Sequence, residues 1–247
     1  MTRDGSTDAA LRLAATILLV RDDPFEVLTV QRHAGATFAS AIVFPGGVVD
    51  PDDGDDEWLP LLTGAEHLDR FERAIRIAGI RETFEEAGLL LAQHVDGGHV
   101  EQPDAAAPRF IDTVRESGGR LRLDEVVHFG HWITPPTNPK RFDTHFLLAR
   151  APRNQTATAD GTEAVNVEWA APSALIRRAE QGERNIMFPT YANLLRLAES
   201  GTATDALRQA AERPRFAVHA RAETRPDGTR VSIIPAEAGY GITEFPL

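Results

Sequence analysis

No cysteine occurs among the 247 residues, which removes disulfides, thiolate metal sites and a cysteine nucleophile, and fits a reducing cytoplasm. Positive charge is scarce: 26 Lys and Arg stand against 37 Asp and Glu, for a formal net charge of −11. Duplex binding draws its affinity from cations that neutralise phosphates, so the expectation is no nucleic-acid partner. A small anionic ligand stays in play, because a bound cation reverses the field inside a single cleft. Long apolar runs are missing too. The stretch Leu13 to Val20 is too short to span a bilayer and follows acidic residues rather than a basic leader, so no membrane association is expected. Phe245, Pro246 and Leu247 do not match the SKL-type peroxisomal address. What is present, 42% hydrophobic residues, is enough to bury a sizeable core.

Along the chain, LAATILLV and FEVLTVQR flank a turn at Asp22, Asp23 and Pro24 and predict a hairpin. IVFPGG is a short strand running into a double glycine, and VVDPDDGDDEW after it is expected as a surface loop. From about Leu68 to Ala87, residues Ile77, Ile80, Phe84 and Ala87 share one helical face, and Gly88 closes the helix. His94 to Pro108 is expected as loop, and RFIDTVRESGG as a short helix. Strands are predicted at EVVHFGHWIT, FDTHFLLA and AVNVEWA, then a helix with Pro172 in its first turn. The last seventy residues predict two helices and a terminal strand. With no repeat and no long polar linker, a single α+β domain spanning 1–247 is the simplest reading, with a core of about 11–180 and a helical C-terminal extension of about 181–247.

In RETFEEAGLLL, Glu82, Glu85 and Glu86 fall at i, i+3 and i+4 and crowd one stripe of the helix. Like charges at that spacing cost roughly 0.2–0.5 kcal/mol per pair, so the cluster needs full solvation or a counter-charge. A hard cation, Mg²⁺ or Mn²⁺, is the natural partner: it prefers carboxylate oxygen and keeps positions for phosphates and water. Taken alone, an ExxEE pattern is more often simply a wet helix face.

The surroundings of that cluster resemble the Nudix box, G-x5-E-x7-R-E-U-x-E-E-x-G-U with U apolar. Arg81, Glu82, Glu85, Glu86, Gly88 and Leu89 fit its second half, with Thr83 at an apolar position. Counting from Gly47, the first acid is Asp53 rather than Glu, and 27 residues instead of seven separate it from Arg81. A twenty-residue insertion therefore splits the box, leaving open whether Asp53 takes the first acid's part of holding loop to helix. With VLTVQRHAGATFASAIVFPGGVVD before it and HWITPPTNPKRFDTHFLLA after it, the split box is similar to the Nudix branch that includes the vertebrate peroxisomal coenzyme A diphosphatase, over about Leu13 to Arg196.

The resemblance implies an α/β/α sandwich around a mixed sheet and a hydrolase of phosphoanhydride bonds. Glu82 and Glu86 would be the principal metal ligands, with Glu85 in the cluster and the Gly46 carbonyl completing it. Glu163 is the candidate general base and Glu85 its rival, while Arg81 would anchor the loop that carries Asp53. Gly46 and Gly47 let the backbone come close to a metal. For substrate phosphates the candidates are Arg32 and His33, Gly47, and Lys140 and Arg141. Trp132, Phe142 and Phe188 are candidates for stacking on adenine or for core. His128 and His131 are expected to share a face of one strand and are assigned to packing or substrate contact rather than metal, and Asp50 to Glu57 to a solvated loop. Coenzyme A or an acyl-coenzyme A is the leading small-molecule nucleotide-diphosphate substrate. ADP-ribose, a dinucleotide or a nucleoside triphosphate is the alternative, and a non-catalytic nucleotide sensor a further one. A different coenzyme A motif of another Nudix branch, with Arg and Gly before FPGG, is missing: Ala36 and Ser40 stand there. The tail after Phe188 offers a surface on which a homodimer could form.

Overall fold

The computed structural model describes residues 10–33, 41–103 and 106–246, apart from the side chain of Arg32. β1 (Leu11–Arg21) and β2 (Glu26–Arg32) form the expected hairpin. β3 (Ile42–Val43) pairs with β2, and β4 (Gly46–Val48) with β1. Two 3-10 turns, Pro51–Gly54 and Asp56–Leu61, lead through β5 (Leu62–Thr63) to α1 (Arg70–Ala87). Next come β6 (Ala92–Gln93), α2 (Phe110–Glu116), β7 (Arg120–Arg122), β8 (Val127–Ile133), β9 (Arg141–Arg150) and β10 (Ala164–Ala170). α3 (Pro172–Glu180), α4 (Phe188–Leu197) and α5 (Ala203–Glu212) precede four short strands: β11 (Ala217–His219), β12 (Arg221–Thr224), β13 (Arg230–Ile233) and β14 (Glu244–Pro246).

The main sheet has the order β10-β2-β1-β9-β8-β11. It is mixed: β1 runs parallel to β9 from Leu11↔Arg141 to Val20↔Arg150, and β8 parallel to β11, while the other pairs are antiparallel. A strand covered on both faces should be a near-continuous apolar run, and Ala14 to Val20, apolar but for Thr16, is buried throughout. Its alternate residues serve two cores. Ala15, Ile17 and Leu19 meet α1 and α2, whereas Leu18 and Val20 meet α3, α4 and α5. The result is helix, sheet, helix in layers.

α1 is positioned by its ends and by one face. Asp69 caps it by accepting from the Glu72 N–H at 2.8 Å, and Gly88 leaves it in the left-handed region at φ 70°. Ile77, Ile80, Phe84 and Ala87 are all buried against the sheet. A Cβ on Gly79 would come within 2.9 Å of Ile17 Cγ1, so the helix lies directly on β1.

Two details depart from expectation. The acidic stretch after the double glycine is exposed along most of Asp50 to Glu57, as a surface segment should be, but it forms the two 3-10 turns and buries Asp53 and Trp58. Trp58 packs on Phe110 at 5.7 Å, and Glu57 takes hydrogen bonds from Arg109 and Arg115. The C-terminal extension is helical only to Glu212; four strands follow where one was expected, and β11 joins the main sheet. His128 and His131 do share a face, as expected: they lie three residues apart, and a register shift between His128 and Gly130 keeps both beside His145. Among the described residues no helix is long and apolar enough to cross a membrane.

Candidate functional site

The double-glycine segment is fixed by β1. Thr16 Oγ1 donates to the carbonyls of Pro45 at 2.6 Å and Phe44 at 3.1 Å, and the Ile17 N–H donates to Pro45 at 2.9 Å. A Cβ on Gly46 would strike the Ala15 carbonyl and Thr16 at 2.5 Å; one on Gly47 would strike the Glu82 carboxyl at 2.5 Å. At Gly46 only hydrogen fits against β1, and at Gly47 a side chain would have to displace the Glu82 carboxyl of α1. The Gly46 N–H donates to Glu86 Oε2 at 3.0 Å, which joins loop and helix directly.

Arg81 organises the acids around it. Its guanidinium donates to Asp53 Oδ1 at 3.0 Å and Oδ2 at 3.1 Å, to the Val48 carbonyl at 2.9 Å, and to Glu82 and Glu85 at 2.9 Å each. Asp53 also accepts from the Asp50 N–H at 2.8 Å, so the insertion leaves this acid bonded to both loop and helix. Burial pushes the Asp53 carboxyl above its ordinary value despite the Arg81 pair, and the surrounding carboxylates hold Arg81 firmly protonated against its own burial. Glu82 is pushed up to about 7, first by burial and then by Glu85 and Glu163, with Arg81 opposing. Glu85 is half-exposed and raised for the same first reason. Glu86 is only 2% exposed.

Arg81, Glu82, Glu85 and Glu86 line a cavity of about 1190 Å³. Among the described residues its charged lining is Asp50, Glu82, Glu85, Glu86, Asp160 and Glu163 against Arg12 and Arg81, six acids to two bases. Asp160 was not anticipated, although an Asp-Gly turn signal marks it. It accepts from the N–H groups of Thr162, Glu163 and Ala164, which fixes the loop carrying Glu163. Arg12 and Asn185 were also unforeseen, and nothing local to either position signals a site.

The cavity also has apolar lining, including Phe44, Ile186 and Phe245. Trp132 and Phe188 are buried and line the cavity as well: Trp132 Nε1 donates to the Tyr240 hydroxyl at 2.9 Å, and Phe188 stacks on Phe245 at 5.0 Å. Phe142, partly exposed, also lines the space. The basic candidates lie elsewhere. Lys140 is exposed, Arg141 turns its Nε toward the Thr134 carbonyl at 3.4 Å, and neither lines the cavity. The His33 N–H donates to the Glu163 carbonyl at 3.0 Å, but His33 is not a lining residue either. The Arg32 side chain, Ala36 and Ser40 lie outside the described residues.

Set beside known proteins, residues 71–197 match the model of the NUDT19 Nudix domain, just over half of the chain. Nudix hydrolase 7 of Caenorhabditis elegans, as that protein is named, is 28% identical over 79% of this chain and 63% of that one. The acyl-coenzyme A diphosphatase NUDT19 of Gallus gallus is 27% identical over 78% of this chain and 70% of that one. The chain thus spans about two thirds of the length of these relatives. A crystal structure of a Nudix hydrolase from Alicyclobacillus acidocaldarius superposes with a TM-score of 0.72 at 28% identity, covering 83% of this chain and 99% of that one.

Proposed function

The chain belongs to the Nudix hydrolase family, and from that premise we propose that it hydrolyses diphosphate bonds in nucleotide-linked compounds with the help of a divalent cation. One observation carries the reading: among the described residues, six carboxylates and two arginines converge on a large cavity beside the double-glycine backbone, where Gly46 has no room for a side chain. Such a lining repels a diphosphate unless a cation intervenes. The donor set suits a hard ion, since Glu82, Glu85 and Glu86 offer carboxylate oxygen at the double-glycine loop and burial leaves Glu82 short of counter-charge. These three, with the Gly46 carbonyl, would hold Mg²⁺ or Mn²⁺. Bound there, the ion neutralises phosphate oxygens and makes water more acidic.

The chain's own groups do the rest. Arg81 keeps Glu82 and Glu85 in place and ties Val48 to the helix. Glu163 sits on a loop fixed by Asp160 and is charge-coupled to Glu82, a position from which it takes a proton from the attacking water. If it does so, Glu163→Gln lowers kcat by about 10²–10⁴ with KM little changed, whereas a loss of that size in Glu85→Gln alone would move the role to Glu85.

A raised carboxyl pKa has a consequence for stability. The Glu82 contribution is fully present below its ordinary value of 4.5 and is lost as pH rises through about 7, because the folded site then holds an ionised, poorly solvated carboxylate. A cation favours that deprotonated form. The Tm gain on adding Mn²⁺ is therefore expected to grow from pH 6 to pH 8, and equal gains at both would contradict it.

For substrate, we favour coenzyme A or an acyl-coenzyme A. Support comes from the name of the chicken relative and from a cavity larger than the roughly 300–1,000 Å³ of most small-molecule sites, lined by both acidic and apolar side chains. Incubation with Mg²⁺ or Mn²⁺ and a panel of coenzyme A, acyl-coenzyme A, ADP-ribose, a dinucleotide and a nucleoside triphosphate, with products weighed by mass spectrometry, tests this. Turnover of ADP-ribose alone overturns the substrate; tight binding without turnover of any compound makes the chain a sensor.

A further inference from the structure

His131, Asp143 and His145 each bring one ligand atom to within 4.8 Å of the others, on the sheet face beneath the first turn of α1. Phe71 of that turn meets His145 edge-on at 5.6 Å, so about 20 Å of helix separates the cluster from Glu86. The β8–β9 register sets His131 opposite His145 and Ile133 opposite Asp143. The two imidazoles stack at 4.1 Å with 20° between their planes, and His131 Nε2 is hydrogen-bonded to Asp143 Oδ1. His145 Nε2 is 3.7 Å from the same oxygen, beyond a hydrogen bond.

That nitrogen is the second, independent observation. His145 is 8% exposed, and its Nε2 has no hydrogen-bond partner among the described residues, although a buried polar atom without one is costly. It points at a carboxylate oxygen that a second imidazole already engages. We propose that His131, Asp143 and His145 form a separate metal site for a borderline divalent cation of the zinc class.

The chemistry of the donors selects the ion. Two imidazole nitrogens and one carboxylate suit Zn²⁺ or Co²⁺, while Mg²⁺ prefers an all-oxygen shell. Ligand atoms around a tetrahedral zinc sit about 3.3 Å apart, so small side-chain rotations bring these three onto one ion. Burial keeps the His145 imidazole down at about 4, hence neutral and able to offer a lone pair at physiological pH. Three protein ligands leave a position open toward the partly exposed side of His131 and Asp143. The ion would clamp β8 to β9 on the face opposite the large cavity's wall. None of this depends on the diphosphatase reading.

The test uses the Glu82→Gln/Glu86→Gln chain, stripped with EDTA and titrated with Co²⁺. Visible ligand-field absorption should saturate near one cobalt per chain and be displaced by Zn²⁺ but not by Mg²⁺. His145→Ala should abolish it, Asp143→Asn should weaken binding by at least about tenfold, and His94→Ala should leave it unchanged. If circular dichroism shows the double variant unfolded, the same titration is run on the unaltered sequence under excess Mg²⁺. No absorption up to millimolar Co²⁺, or a spectrum that survives His145→Ala, overturns the site.

Discussion

Glu86→Gln is expected to lower kcat by about 10²–10³, the loss typical of deleting one preorganised electrostatic contact to a transition state, while the fold holds. The substitution keeps volume and keeps an oxygen that accepts from the Gly46 N–H, so the joint between loop and helix survives. What it removes is one unit of charge from a side chain almost wholly shut off from bulk water. Without a cation, that charge is a burden beside Glu82 and Glu85, so the thermal midpoint of the metal-free variant should match or exceed that of the parent. The measurement is steady-state diphosphate hydrolysis at saturating Mn²⁺, paired with melts with and without the ion. Activity within twofold of the parent would end the carboxylate-site reading; a collapsed melt would show that Glu86 is structural.

Arg81→Met is the second large effect, and it falls on stability. The guanidinium is the basic partner of Asp53, which is 2% exposed and already pushed up by burial. Removing one side of a buried pair leaves the other uncompensated, at a cost of about 3–5 kcal/mol. Urea unfolding reads that loss directly. Because the cost lies in the orphaned acid, Arg81→Met/Asp53→Asn should recover a large part of it, and a non-additive cycle is the signature. Strictly additive losses would mean that the two side chains are not coupled. The recovered variant should remain a poor catalyst, since Glu82, Glu85 and the Val48 carbonyl have all lost a shared donor.

Those two residues also mark how far the sequence could be followed. α1 was legible because its signals are local: an apolar stripe at helical period and a closing glycine. The layered fold and its mixed sheet followed from the box resemblance and agree with the superposed crystal structure. By contrast, the acidic stretch looked solvated because nothing near it explains burial. Asp53 is buried by an arginine 28 positions away and Trp58 by a phenylalanine 52 away, and such pairings leave no periodicity. The last strands were hidden for a related reason. β12 is exposed at all four positions, so it carries no alternation, and three-residue β11 is a strand only because β8 lies beside it. The shared face of His128 and His131 was anticipated, but it depends on a bulge at Phe129 that period-two counting does not supply. In the site, the glutamates were visible as a pattern, whereas Arg12, Asp160 and Asn185 reach the cavity from separate elements.

The acids that line the cavity come from the segment 50–86 and from Asp160 and Glu163, whereas Ala220, Ala222, Ser232, Phe245 and Pro246 contribute lining with no ionisable group. Exchanging side chains at those five positions is thus a way to reshape the compounds admitted while every titrating group of the cleavage machinery stays as it was.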